Sequence, residues 1–220
     1  MKTLPAEIER GSMAIIAAEL RERGVRLPPE NAAVVMRCIH ASADFDYAEN
    51  LRFTPGAVEA AVEALRRGAE IVTDTNMALA GISRPGLEKL GGAAYCFMAD
   101  EEIARAAKER GTTRAAAAMD HAAAHYPGAI LAVGNAPTAL FRIAEKIKAG
   151  LRPALVIGVP VGFVNVVESK ERILAVSTEY GVPAIVALGR KGGSSIAAAI
   201  CNALIYTAAE MLDPKERGWS

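Results

Sequence analysis

His40 is one of three histidines in a chain of 220 residues, and it stands where a titratable group can do work. Arg37 precedes it by three positions, which makes the two side chains neighbours on one helix face. Asp44 and Asp46 follow. The helix carboxyl end and the two aspartates favour the imidazolium form, and Arg37 opposes it. An imidazole under such opposed influences either exchanges protons near neutrality or is simply a hydrogen-bonded histidine at a helix end. Ser12 lies four residues from both Ile8 and Ile16, so its hydroxyl either bonds back to its own helix or lines a pocket. Thr113 reads as an N-cap, which puts Arg114 at the positive end of a helix dipole. A cation there, beside free N–H groups, suits a carboxylate or phosphate; the alternative is a solvated arginine. Gly189–Arg190–Lys191–Gly192–Gly193–Ser194–Ser195 has the composition of an anion-binding nest but neither the GxxxxGK[ST] nor the GxGxxG order. His121 and His125 share a face at a spacing that can hold zinc. No glutamate stands between them as in HExxH and Tyr126–Pro127 ends the helix, so no metal site is expected.

The elements that must carry these groups follow from hydrophobic patterning. Ala129–Val133 and Ala154–Val159 are short, aliphatic and without polar alternation, as in strands covered on both faces. The first runs into Gly134–Asn135–Ala136–Pro137, with Pro137 at a first helical position; the second runs into the looser Gly158–Gly162 turn. Ala69–Thr73, Ala93–Phe97 and Pro183–Leu188 complete five predicted strands. Helices are predicted from about Pro5 to Arg23 with Ile8, Ile15, Ile16 and Leu20 as its apolar stripe, from Glu30 to Ala41, and after a Thr54–Pro55 cap. Others follow over Arg114–His125, Val164–Tyr180 and Ser194–Met211. Strands separated by helices imply a single α/β domain over 1–220. The expected fold is a flavodoxin-like three-layer sandwich with a five-stranded, mostly parallel sheet and extra N-terminal helices. Open α/β sheets place ligands at the carboxyl ends of their strands. That edge gathers Ser83, Arg84, Arg114, Asn135, Thr138, Arg190, Lys191, Gly193 and Ser194, a set suited to a large polyanionic organic ligand.

Composition narrows the partners. Lysine plus arginine and aspartate plus glutamate number 25 each, so no whole-chain charge argues for nucleic acid or an anionic membrane. No apolar run approaches the ~20 residues of a membrane span, and MKTLPAEIER lacks the layout of a signal peptide. Cys38, Cys96 and Cys201 are scattered without CxxC spacing, which leads to the expectation of a reducing cytoplasm.

Beyond these physical arguments, SMAII at 12–16, RCIHASADFD at 37–46, TDTNMALAGISR at 73–84, TTRAAAAM at 112–119, VGNAPTALF at 133–141, GVPVGFVNVVESK at 158–170 and GVPAIVALGRKGGSS at 181–195 together resemble the precorrin-8X methylmutase family of vitamin B12 biosynthesis. The resemblance implies an isomerase that moves a methyl group from C11 to C12 of a corrin precursor, with no external cofactor. It puts the catalytic histidine at His40 and substrate contacts at Ser12 and Arg37, and it pairs Arg114 with a peripheral carboxylate of the tetrapyrrole. Ser83, Arg84, Asn135, Thr138, Gly193 and Ser194 join the expected substrate site from their strand-end positions, and Val159, Val161 and Phe163 are expected to face the ring plane. The resemblance also implies a homodimer with the site near the subunit interface. The ADFD and TDTNM segments resemble the cobalt-using members. A non-catalytic corrinoid carrier and a flavin- or nucleotide-phosphate-binding domain are the alternatives, since fold does not fix function.

Overall fold

The computed structural model describes residues 4–218. The chain opens with two helices, α1 (Pro5–Glu22) and α2 (Pro29–Ser42), each with proline in its first turn, where a missing N–H is harmless. A short helix α3 (Tyr47–Asn50) leads into strand β1 (Leu51–Phe53) and then α4 (Ala57–Arg66). The rest alternates: β2 (Ile71–Thr73), α5 (Asn76–Gly81), α6 (Arg84–Lys89), β3 (Ala94–Tyr95), α7 (Glu101–Glu109), α8 (Arg114–His125), β4 (Ile130–Val133), α9 (Pro137–Lys148), β5 (Leu155–Gly158), α10 (Val166–Glu179), β6 (Ala184–Ala187) and α11 (Ser194–Ala208). A 3-10 turn, Pro214–Arg217, closes the described chain.

One six-stranded sheet has the order β1-β6-β5-β4-β2-β3. The five predicted strands are all present and mutually parallel. The count of five is corrected by β1, which pairs antiparallel with β6 through Leu51↔Ala187 and Phe53↔Ile185. Thr54, expected to cap the following helix, serves this edge instead. Its hydroxyl accepts from the Ala184 N–H at 2.8 Å, and Gly56 takes the N-cap position of α4.

Successive strand residues feed opposite faces. Ile71, Ile130, Leu155, Ile157 and Ile185 join one apolar cluster with residues of α2, α4 and α11. Val72, Leu131, Val133, Val156 and Val186 join another with residues of α7, α8, α9 and α10. Helices therefore cover both faces, which is why the strands read as unbroken aliphatic runs. The N-terminal helices form an outer tier, α2 packing along α11 and α1 on α2. The expected stripe of α1 is half right: Ile16 and Leu20 are buried, whereas Ile8 and Ile15 are exposed.

Candidate active site

His40 lies near the end of α2, half-buried, in the wall of a cavity of about 600 Å³. Four elements build that wall. Pro5, Ile8 and Glu9 come from α1; Arg37, His40 and Ala41 from α2; Ser195, Ala198, Ala199 and Asn202 from α11, with Gly81 at the end of α5. The lining is mostly apolar with a few convergent polar groups, the usual make-up of an organic-ligand site. Small residues on α11 leave the room.

Charge in this wall is concentrated on one buried carboxylate. Glu9 pairs with Arg37 at 2.9 Å and with Arg217 at 2.7 Å. Both guanidinium groups approach the Tyr206 ring, Arg217 at 4.4 Å and Arg37 at 5.3 Å. Burial pushes the Glu9 carboxyl up, but the hydrogen bonds and charges of Arg217 and Arg37 outweigh it and leave it below its ordinary value. The His40 imidazole is held below the usual histidine range by burial first and then by Arg37, with Arg217 adding and Glu9 opposing. Its Nδ1 is buried without a protein hydrogen-bond partner among the described residues. An imidazole with one buried, unpartnered nitrogen thus lines a mostly apolar cavity, where it can exchange a proton or meet a ligand group.

The loop after β6 forms the rim beside this cavity. Its shape is set from below by Lys170, whose ammonium is wholly buried and donates to the carbonyls of Gly189 (2.8 Å) and Lys191 (2.7 Å). Burial lowers Lys170 to about 8. Lys191 reaches outward instead, to Asp44 at 2.7 Å and Asp46 at 2.5 Å, just beyond the end of α2. The same loop therefore fixes both the start of α11 and the segment that follows His40.

The predicted residues divide accordingly. Arg37 and His40 share the cavity wall. Ser12 sits one turn beyond Ile8 on α1, and its hydroxyl donates to the Ile8 carbonyl at 3.0 Å, the local bond expected of a mid-helix serine. Gly193 and Ser194 lead into Ser195 but do not themselves line the cavity, and the Ser194 hydroxyl meets that of Thr75 at 2.8 Å. Ser83 is held to the wall indirectly: its N–H donates to Asn202 Oδ1 at 2.7 Å while its hydroxyl caps α6. Arg84 instead lines a separate cavity of about 300 Å³ with Leu79, Ile82 and Leu87. Arg114 is exposed at the start of α8, and Thr113 and Thr138 join their hydroxyls at 2.8 Å, so Arg114, Thr138 and Asn135 form a second stretch of the strand-end edge. The backbone nest at Gly134–Ala136 is already filled. Buried Asp74 accepts the N–H groups of Gly134 (2.8 Å), Asn135 (2.9 Å) and Ala136 (2.7 Å). Its carboxyl is raised by burial, against the pull of those three donors.

One further expectation is corrected. Val159 does not face a ring; it is wholly buried in the core, whereas Val161 and Phe163 are exposed, with Arg190 over the Phe163 ring at 5.3 Å. His121 and His125 stack ring on ring at 4.1 Å beside Phe97. Among the described residues no group of three or more histidine, cysteine, aspartate or glutamate side chains is placed to hold a metal ion, and no helix is long and apolar enough to cross a membrane. Glu9, Asn202, Asp74 and Lys170 have no role in the sequence reading: Glu9 is one of four glutamates on α1, whereas Asp74 and Lys170 fall inside the 73–84 and 158–170 segments that carry the family resemblance.

Residues 7–207 match the family model described as precorrin-8X methylmutase. The cobalt-precorrin-8 methylmutase of Salmonella typhimurium is 44% identical over 206 residues, covering 92% of this chain and 95% of that protein. The precorrin-8X methylmutase of Pseudomonas aeruginosa is 42% identical over 198 residues, 90% of this chain and 93% of that one. Among solved structures, the precorrin-8X methylmutase of Thermus thermophilus superposes with a TM-score of 0.81 at 42% identity, covering 92% of this chain and 98% of the other. Identity at this level over nearly the whole length, together with the shared fold, makes the chain a member of the precorrin-8X methylmutase family.

Proposed function

We propose that this chain is a (cobalt-)precorrin-8 methylmutase, an isomerase that moves the C11 methyl group of the corrin precursor to C12 and yields (cobalt-)cobyrinic or hydrogenobyrinic acid. The observation that carries the reading is His40 in the wall of a mostly apolar cavity, three residues from Arg37 on the same helix. A corrin precursor is a flat apolar ring fringed with acetate and propionate groups. Guanidinium groups suit the fringe and an apolar wall suits the ring. A methyl shift within one molecule needs the ring held in one geometry and one group able to move a proton. His40 is the catalytic residue in this reading. Substrate and product are isomers, so any proton the imidazole gives to the ring system must be recovered after migration, and the enzyme ends as it began. Ser12, Arg37 and Arg114 are the family-derived contacts; Ser83, Arg84, Asn135, Thr138, Gly193 and Ser194 extend the set along the strand-end edge.

The parallel strands in the order β6-β5-β4-β2-β3 support a flavodoxin-like three-layer sandwich, with β1 as an added antiparallel edge. A macrocycle with its acid side chains is larger than a 600 Å³ cavity, so the ring extends over the rim. Phe163, Val164, Met77 and Ile15 are each more than two-thirds exposed. The consecutive exposed pair Phe163–Val164 supports a homodimer in which a second copy covers apolar surface. Its three unpaired cysteines suit a reducing cytoplasm.

The deciding experiment follows the visible spectrum of cobalt-precorrin-8, and of the metal-free ring, on anaerobic mixing with the purified protein. Wild type should convert at least one ring, and His40→Ala should retain product binding while turning over at least ~100-fold more slowly. A wild-type rate in His40→Ala removes the histidine from the chemistry. Tight binding with no spectral change in wild type makes the protein a carrier.

A further inference from the structure

Glu9 lies on α1, outside the sheet-and-helix frame, yet it is 5% exposed and lines the same cavity as His40 and Arg37. Its carboxylate bridges two arginines that come from opposite ends of the chain, Arg37 of α2 and Arg217 of the 3-10 turn. A second tie, Arg10 to Asp213 at 2.7 Å, runs alongside on the exposed side. Both guanidinium groups approach the Tyr206 ring, and Glu9 places a carboxylate against each of them. Buried charges of one sign repel strongly in a low-dielectric wall.

We propose that Glu9 is a positioning residue of the active site: its carboxylate fixes the Arg37 guanidinium along the cavity wall and supplies the negative charge that lets the neighbouring imidazole of His40 take up a proton. The proposal rests on the catalytic reading of His40 given above, but its electrostatic half does not. The charges facing His40 are Arg37 on its own helix, Glu9 from α1 and Arg217 from the 3-10 turn. From α11 the wall receives the uncharged Ser195, Ala198, Ala199 and Asn202. Asp44 and Asp46, beyond the helix end, are engaged by Lys191. Glu9 is a carboxylate that meets both guanidiniums. Removing it takes away a negative charge that favours the imidazolium while Arg37 and Arg217 still oppose it.

Glu9→Gln keeps the shape and one acceptor while removing the charge; Glu9→Asp keeps the charge one methylene further back. The first measurement is the NMR titration of the His40 ring in the full chain without substrate. Its midpoint should move to lower pH in Glu9→Gln, stay near wild type in Glu9→Asp, and move to higher pH in Arg37→Gln, where Glu9 keeps Arg217. The second is turnover of cobalt-precorrin-8 against pH. The pH profile of Glu9→Gln should shift acidward in step with the ring titration, kcat should fall at neutral pH, and Glu9→Asp should restore most of it. An unmoved His40 midpoint in a folded Glu9→Gln overturns the proposal. If Glu9→Gln does not fold, an unmoved midpoint in Arg37→Gln overturns it. A shifted midpoint with an unshifted turnover profile overturns the catalytic half. Absence of turnover in wild type itself refutes the methylmutase reading and leaves the ring titrations as the test of the electrostatics.

Discussion

The ammonium of Lys170 donates to the carbonyl oxygen of Gly189 at 2.8 Å from a position with no solvent access. A second bond, to the Lys191 carbonyl, makes the lysine a peg beneath the loop that leads into α11. Lys170→Met removes the peg and leaves two inward carbonyls without their donor, a loss of about 1–3 kcal/mol. The pH dependence has a definite sign. The folded-state value of about 8 lies below the unfolded lysine value near ~10.4. Between the two, the unfolded chain binds the extra proton, so Lys170's contribution to stability rises with pH and is smallest below pH ~8. Denaturant unfolding at several pH values should show the gap between wild type and Lys170→Met widening from pH ~8 to ~10. A constant gap would mean that the ammonium is not desolvated as the fold implies.

Gly192 presses the same loop against the strand-end turn after β5. A Cβ there would stand 2.2 Å from the Val159 carbonyl oxygen and 2.8 Å from that of Pro160. Both obstacles are backbone, so no side chain can swing aside. Gly192→Ala should cost on the order of 3 kcal/mol, a fall in Tm of roughly 10 °C for a chain of this size. Calorimetry decides it, and a Tm within about 2 °C of wild type would show that the loop can move away without penalty.

If His40 acts as a proton donor, its depressed affinity in the empty site has a kinetic signature. The profile of kcat/KM reports the free enzyme, so its descending limb should lie below the ordinary histidine value of 6.5. The profile of kcat reports the complex. Carboxylates of a bound corrin precursor favour imidazolium, so the kcat limb should lie at higher pH than the kcat/KM limb. Steady-state kinetics between pH 5 and 9, on the order of the range histidine spans, would separate the two. Coincident limbs, or a kcat/KM limb on the alkaline side, would remove His40 as the titrating donor.

Much of this architecture was legible because it depends on local pattern. Five strands and most helices follow from aliphatic runs, prolines at helix starts and glycines at turns, and the cavity wall shared by Arg37 and His40 follows from their spacing on α2. The misses have a common cause. β1 is three residues long, so its single apolar-polar-apolar step, with exposed Arg52 at the centre, is too short to stand out; only pairing with distant β6 makes it a strand. Asp74 fills the Gly134–Ala136 nest from sixty residues away, and Glu9 meets Arg217 across more than two hundred. Nothing in spacing or composition encodes such partnerships. For the same reason, Arg114 occupies the expected strand-end edge without sharing the His40 cavity, and Arg84 lines a separate cavity with the residues that begin β3: the edge is predictable from topology, whereas the concavity each side chain enters depends on which helices pack over it.

The reach of Lys191 to Asp44 and Asp46 yields the last prediction. Lys191 and Asp46 are exposed and Asp44 is half-buried, and pairs this open to solvent add little to stability. What the pair does is geometric, because it joins the rim loop to the segment directly after α2 and so limits how far the two can part. The Lys191 hydrogen bond is the largest influence holding the Asp44 carboxyl below its ordinary value, so the link persists well into the acid range. Lys191→Ala should leave the unfolding temperature close to wild type and raise KM a few-fold with little change in kcat, as expected when a binding rim loosens but the reacting groups stay in place. Raising ionic strength should weaken the pair in wild type and narrow the difference between the proteins. Titration with product at low and high salt checks this directly. An affinity gap that does not shrink with salt would mean that Lys191 acts on the ligand itself rather than through the aspartates.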